Sequence, residues 1–192
     1  MTDQRWSAIE KIVRECKREL FDIELPHGPN GVMRVFITGE STGGVTKEVE
    51  IGDCARVSRL ISPLEGESSA SSNGLVPEGV MLEVSSPGIN RRLRRPEHFQ
   101  AAVGQRIRIT VDPALIVNGR PERTVLAQLL GSSGSGSNLT LSLIVPKPGS
   151  ANAPVKKGMR KKSLSELPHE EFQVNFKDIQ SARVDFDFDN AV

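Results

Sequence analysis

Four guanidinium groups fall within five residues, at Arg91, Arg92, Arg94 and Arg95. A guanidinium is a planar fork of N–H donors that never loses its charge, so a run of them suits the oxygens of phosphate groups. The chemistry this predicts is contact with the phosphate backbone of structured RNA. The same residues have a second reading, as ion pairs to an acidic neighbouring domain that fix the joint between the two. A further basic cluster follows at Lys156, Lys157, Arg160, Lys161 and Lys162. On a loop, such a cluster gives non-specific, salt-sensitive attraction to nucleic acid, or simply a solvated insertion.

Nothing else in the chain has the spacing of a reactive centre. His27, His98 and His169 lie in turn or linker sequence without metal-ligand partners at useful spacing. The sequence contains no CxxC, HExxH or GxxxxGK[ST] pattern, and no GxGxxG after a strand. Ser85-Ser86-Pro87-Gly88 lacks the flanking glycines and following helix of a nucleophile elbow. Cys16 and Cys54 fall on the apolar faces of expected helices and read as core residues. The expectation is therefore a protein with no catalytic residues, no cofactor and no metal.

Charge is unevenly distributed along the 192 residues, although the total is only +1. Residues 1–90 carry nine Lys and Arg against fourteen Asp and Glu, residues 91–162 carry fourteen against three, and residues 163–192 carry two against seven. A basic middle between acidic ends points to a polyanionic or acidic partner at one region. With seven Phe, one Trp and no Tyr, the chain lacks the aromatic rows used to stack single-stranded bases. The start, Met1-Thr2-Asp3-Gln4-Arg5, is polar, and no apolar stretch is long enough to span a bilayer. A cytoplasmic, monomeric protein with no membrane association is expected.

The elements that must carry these residues follow from periodicity. Trp6, Ile9, Val13, Cys16 and Leu20 share one stripe of an amphipathic helix. Phe21, Ile23 and Leu25 then alternate with Asp22 and Glu24 as a half-buried strand, and Val32 to Thr38 forms its hairpin partner with Met33, Val35 and Ile37 on one face. A shorter helix runs from about Asp53 to Ile61, with Cys54, Val57 and Ile61 inward and Pro63 as its stop, and Val80 to Val84 is the next strand. This α-β-β-α-β order predicts a two-layer α/β domain. After the arginine run everything reads as strand: Ile107 to Val111, Val125 to Leu129, Leu139 to Val145, Phe172 to Phe176 and Ala182 to Phe188. Five short strands, with a turn at Lys177-Asp178-Ile179, predict a small closed SH3-like or Sm-like β-barrel. Gly131 to Ser137 reads as a flexible hairpin tip, and residues 68–74 as a low-complexity loop. The expected fold class is α+β, with domains at 1–92 and 99–192 and a linker at about 93–98.

The segment Leu82-Glu83-Val84-Ser85-Ser86-Pro87-Gly88, followed by Arg91 to Pro96, Phe99 and Gly104, resembles the signature of the ribosome maturation factor RimP family. Asp53-Cys54-Ala55-Arg56-Val57-Ser58-Arg59 also resembles that family's second helix, DCAxVSR. The likeness is close over residues 50–62 and 80–112, while residues 66–79 and 146–168 are longer than the family's usual connections. The resemblance implies an N-terminal α/β domain, a C-terminal Sm-like barrel and a role in maturing the small (30S) ribosomal subunit. It also implies binding to the assembling particle and to the basic decoding-region ribosomal protein known as protein twelve. The acidic ends of the chain suit such a basic protein, and the basic middle suits rRNA. The alternative expectation is a general RNA-binding module without a dedicated protein partner.

Overall fold

The structure is a computed structural model that describes residues 2–26, 28, 30–42, 45–46, 48–62, 75–134, 139–146 and 168–186. The chain divides into two compact units, Met1–Gly88 and Ile89–Val192. The segment expected as a linker, residues 93–98, thus belongs to the second unit.

The first unit begins with α1 (Thr2–Glu15), whose Ile9 and Val13 are fully buried. The helix ends sooner than the apolar stripe predicts, because Lys17 adopts a left-handed φ of 56° that helical backbone cannot continue. Leu20 therefore lies on a strand, β1 (Arg18–Glu24), paired antiparallel with β2 (Val32–Gly39). The pairing register slips between Leu20 and Asp22. An inserted residue reverses which face the following side chains occupy. Consequently Leu20 and Ile23, three apart, both pack on the core, while Asp22 is buried and Leu25 lies exposed beyond the strand. The simple alternation read from the sequence fails for that reason. Asp22 meets its burial by accepting the Ile23 N–H at 2.9 Å.

Two short strands, β3 (Ser41–Thr42) and β4 (Val45–Thr46), precede α2 (Ile51–Ile61). Then β5 (Met81–Ser85) joins β2 in parallel, giving the sheet order β1-β2-β5. Met33, Val35 and Ile37 point from β2 into the core, where they meet Ile9, Val13, Val57 and Ile61 from the two helices. The stop expected at Pro63 and the loop at 68–74 lie outside the described residues.

The start of α2 is built around Asp53. Its carboxylate accepts the Glu50 backbone N–H at 3.0 Å, as in a reciprocal capping box, and takes the Arg18 guanidinium at 2.6 Å. Helix and strand are thereby tied by a charge-assisted bond shielded from water, with side chains 14% and 11% exposed. The Glu50 N–H foremost, then Arg18, hold the Asp53 carboxyl below the usual aspartate range.

The first helix of the second unit is α3 (Pro96–Gln100), which starts within the segment expected as a linker. Pro96 starts it, with its missing N–H at a position that needs none. Phe99 is fully buried and meets the Phe176 ring edge-to-face, with centroids 5.8 Å apart. Strands β6 (Arg106–Val117), β7 (Arg120–Ser133), β8 (Thr140–Pro146), β9 (His169–Asn175) and β10 (Ile179–Val184) follow. Asn118-Gly119 turns β6 into β7 with both residues at positive φ, the backbone of a tight hairpin whose twist matches its strands. One core takes Ile107, Ile109, Ala127, Leu129, Leu141, Leu143, Val174 and Val184 from all five strands.

The sheet order is β10-β6-β7-β8-β9, and no ladder joins β9 to β10, so the closed barrel expected from the sequence is corrected to an open sheet. It is nevertheless strongly curled. Five flat strands would hold their outer edges about 19 Å apart. Yet the 3-10 turn Phe176–Asp178 carries the chain from Asn175 on one edge to Ile179 on the other, a span of at most about 14 Å. Closure is blocked because the outer edge of β10 is already taken. Leu93 N–H donates to Ala182 C=O at 2.9 Å, and Val184 N–H to Arg91 C=O at 2.9 Å, with Arg92 and Arg183 as the bridged pair.

Replacing Asp53 by Asn is expected to cost the first unit about 2 kcal/mol, through a weakened cap and a lost charged hydrogen bond. Because the carboxyl is held low in the fold, its contribution is complete above about pH 4 and fades as pH falls further. Urea unfolding of the native protein should therefore weaken below pH 4 more steeply than unfolding of Asp53→Asn.

Candidate nucleic-acid interface

The arginine run is shaped by the leucine inside it. Leu93 is 2% exposed and belongs to the core of the second unit. Extended backbone alternates sides, so a buried Leu93 places Arg92 and Arg94 together on the opposite, outward side, and both are exposed. The edge pairing with β10 fixes their register.

The four arginines are not equivalent. Arg91 is half-buried, donates to Gln105 Oε1 at 3.2 Å, and has its pKa pulled down by desolvation. A guanidinium so enclosed has fewer donors left for an external phosphate. Arg95 is the residue before α3 and lies 3.7 Å from Glu97, in a half-exposed ion pair. Arg94 is tied through its backbone, whose N–H donates to His98 Nδ1 at 3.1 Å. His98 itself is buried, so this histidine is a structural acceptor holding the run against α3. The second basic cluster, Lys156, Lys157, Arg160, Lys161 and Lys162, lies outside the described residues.

Two arginines that sequence reading left out join this surface. Arg183 is the bridge partner of Arg92, and Arg108 is the register partner of Arg183 across β10 and β6. The alternation of Arg106 and Arg108 with buried Ile107 and Ile109 was a visible signal of an outward basic strand. The register that aligns them with Arg183 and Arg92, some 75 and 90 residues apart in places, was not.

The cysteines contribute no reactive group here. Cys16 is buried and Cys54 half-buried, and burial pushes both thiols above their ordinary value, away from the thiolate that nucleophiles and metal ligands require. Among the described residues no group of three or more His, Cys, Asp or Glu is placed to hold a metal ion. No helix among them is long and apolar enough to cross a membrane.

Leu93→Ala is expected to destabilise the second unit by about 3 kcal/mol, through lost burial and the cavity left behind. Arg92→Ala, on the solvent side of the same segment, should change stability by less than about 0.5 kcal/mol. Differential scanning calorimetry of the two variants checks this division between anchor and surface.

Residues 8–90 match the family model described as the RimP N-terminal domain. The matched span runs from α1 through β5 to the Ser86-Pro87-Gly88 turn, where Gly88 takes a φ of 72°. It includes the Asp53 cap and ends immediately before the arginine run. The first unit is thus a RimP N-terminal domain, the domain of a family of ribosome maturation factors.

Proposed function

We propose that this protein acts in maturation of the small (30S) ribosomal subunit, in the cytoplasm, as a binding factor rather than an enzyme. It works as a monomer, and its binding energy stabilises one conformation of the assembling particle. The single observation that carries the reading is the union of the RimP N-terminal match with an arginine surface held in fixed register beside it in sequence. In this reading the exposed guanidinium groups of Arg92 and Arg94 meet rRNA phosphates, with Arg95 beside them and Arg91 chiefly bracing the run. The five-stranded unit serves as the Sm-like module of the resemblance. The acidic surplus of residues 1–90 and 163–192 suits a basic ribosomal protein, with the decoding-region protein twelve as the proposed partner.

Co-sedimentation with free small subunits at two salt concentrations tests this. The protein should pellet with small subunits and not with mature whole ribosomes. Changing Arg91, Arg92, Arg94 and Arg95 to Ala should weaken binding and flatten its dependence on salt. Equal recovery on unrelated RNAs, lost uniformly as salt rises, would instead favour a general RNA-binding module.

A further inference from the structure

We propose that the phosphate-binding seat of the second unit is the row Arg92–Arg183–Arg108 running across the outer face of the sheet, and that its ligand is the sugar–phosphate backbone of RNA. This deepens the maturation reading and rests on it for the identity of the RNA.

The row follows from register. Ala182 and Val184 point into the core from β10, so Arg183 between them points out; Ile107 and Ile109 do the same for Arg108 on β6. Directly opposed residues of an antiparallel pair share a face, with Cβ atoms about 5 Å apart. Arg183 opposes Arg108, and Arg92 bridges to Arg183, so three guanidinium-bearing side chains stand side by side on three neighbouring segments. Like charges directly opposed across a sheet are destabilising. A fold that needed only solubility at these positions would be better served by alternating signs.

Asp185 approaches Arg106 at 2.9 Å and Arg108 at 3.3 Å, so one carboxylate serves two arginines. Arg183, the middle member, is exposed, and its guanidinium makes no hydrogen bond or ion pair among the described residues. An open fork flanked by two further guanidinium groups suits a ligand carrying several negative groups in series.

The chemistry of the surrounding face selects among such ligands. The outward neighbours of the row include Thr110 and Ser181, which oppose one another, Arg94 and the Asp185 carboxylate, with half-buried Leu126 opposed to Arg108 on β7. A protein partner is usually held by a desolvated apolar or aromatic anchor at the centre of its footprint. Here the centre is Arg183. No aromatic side chain sits within the row to stack a base, so recognition is of backbone and independent of sequence. Three adjacent forks fit successive phosphates of one strand, each contacted by more than one donor.

The test uses the full chain and a fluorescein-labelled 20-base-pair RNA duplex, read by anisotropy across a salt series. Arg183→Ala is expected to weaken binding about tenfold at low salt and to lower the slope of log K against log salt by about one. Arg183→Lys, which keeps the charge and loses the fork, should fall between the two. Arg120→Ala removes an exposed arginine elsewhere in the same unit and should change neither affinity nor slope. If Arg183→Ala and Arg120→Ala behave alike, the row is not the seat. Competition by poly-glutamate as effective, charge for charge, as unlabelled duplex would overturn RNA backbone as the ligand in favour of an acidic protein. The two levels of the argument separate on one further measurement, recovery of each variant with free small subunits. A native chain that pellets with subunits while Arg183→Ala does so equally well overturns the row and leaves the maturation reading. A row that passes the duplex test in a chain that ignores small subunits leaves the phosphate site and overturns the maturation reading.

Discussion

Burial of Leu93 is the constraint on which the rest of the basic surface depends. Four arginines around a solvated residue would be a mobile tether, with each guanidinium free to find its own partner. With Leu93 in the core and its N–H on Ala182, the segment becomes an added strand on the edge of β10. That single anchoring explains three features at once. It orients Arg92 and Arg94 outward, it sets Arg92 against Arg183, and it occupies the backbone groups through which β10 would otherwise close the sheet onto β9. An exposed sheet edge is a template for unwanted pairing. Here the edge is covered by the same residues that present the charge.

A comparable economy operates in the first unit. Asp53 lies at the head of the DCAxVSR-like segment, and its carboxylate faces two ways at once. It satisfies the backbone at the start of α2 and holds Arg18 at the start of β1. Helix α2 would otherwise be set on the sheet by the packing of Cys54, Val57 and Ile61, apolar contacts that are strong but not directional. The charged bond adds direction and so fixes the helix in azimuth. In both units the residues that make the family signature legible are thus partly architectural, and chemistry toward a partner is left to side chains on the outward side.

How much of this the sequence disclosed varies with the kind of signal. Strong period-2 alternation identified β2, where it is intact, and β8, whose expected inward residues are buried although Ile144 and Pro146 are buried as well. The same rule misplaced the inward face of β1, since the bulge after Leu20 changes phase and a bulge has no obvious sequence mark. Helix α3 went unread because five residues are too few for a helical period to appear, although Pro96 at its first position was a cue. Asn118-Gly119 was a plain hairpin signal, and taking it up would have extended β6 and β7 to their full length. The site was legible as an arginine run but not as a surface. Which arginines are half-buried and which are aligned depends on strand register, a long-range property carried by pairing between residues far apart in the chain.

The central claim is that the outer face bearing Arg92, Arg183 and Arg108 lies against rRNA when the protein is bound to a maturing small subunit. Its most direct test is site-specific photocrosslinking, with p-benzoylphenylalanine placed at Ser181, an exposed position on that face. On immature small subunits the account predicts crosslinks to rRNA from position 181 and few from the same probe at position 120. Crosslinks from position 181 to ribosomal protein alone, or equal rRNA crosslinking from both positions, would contradict it.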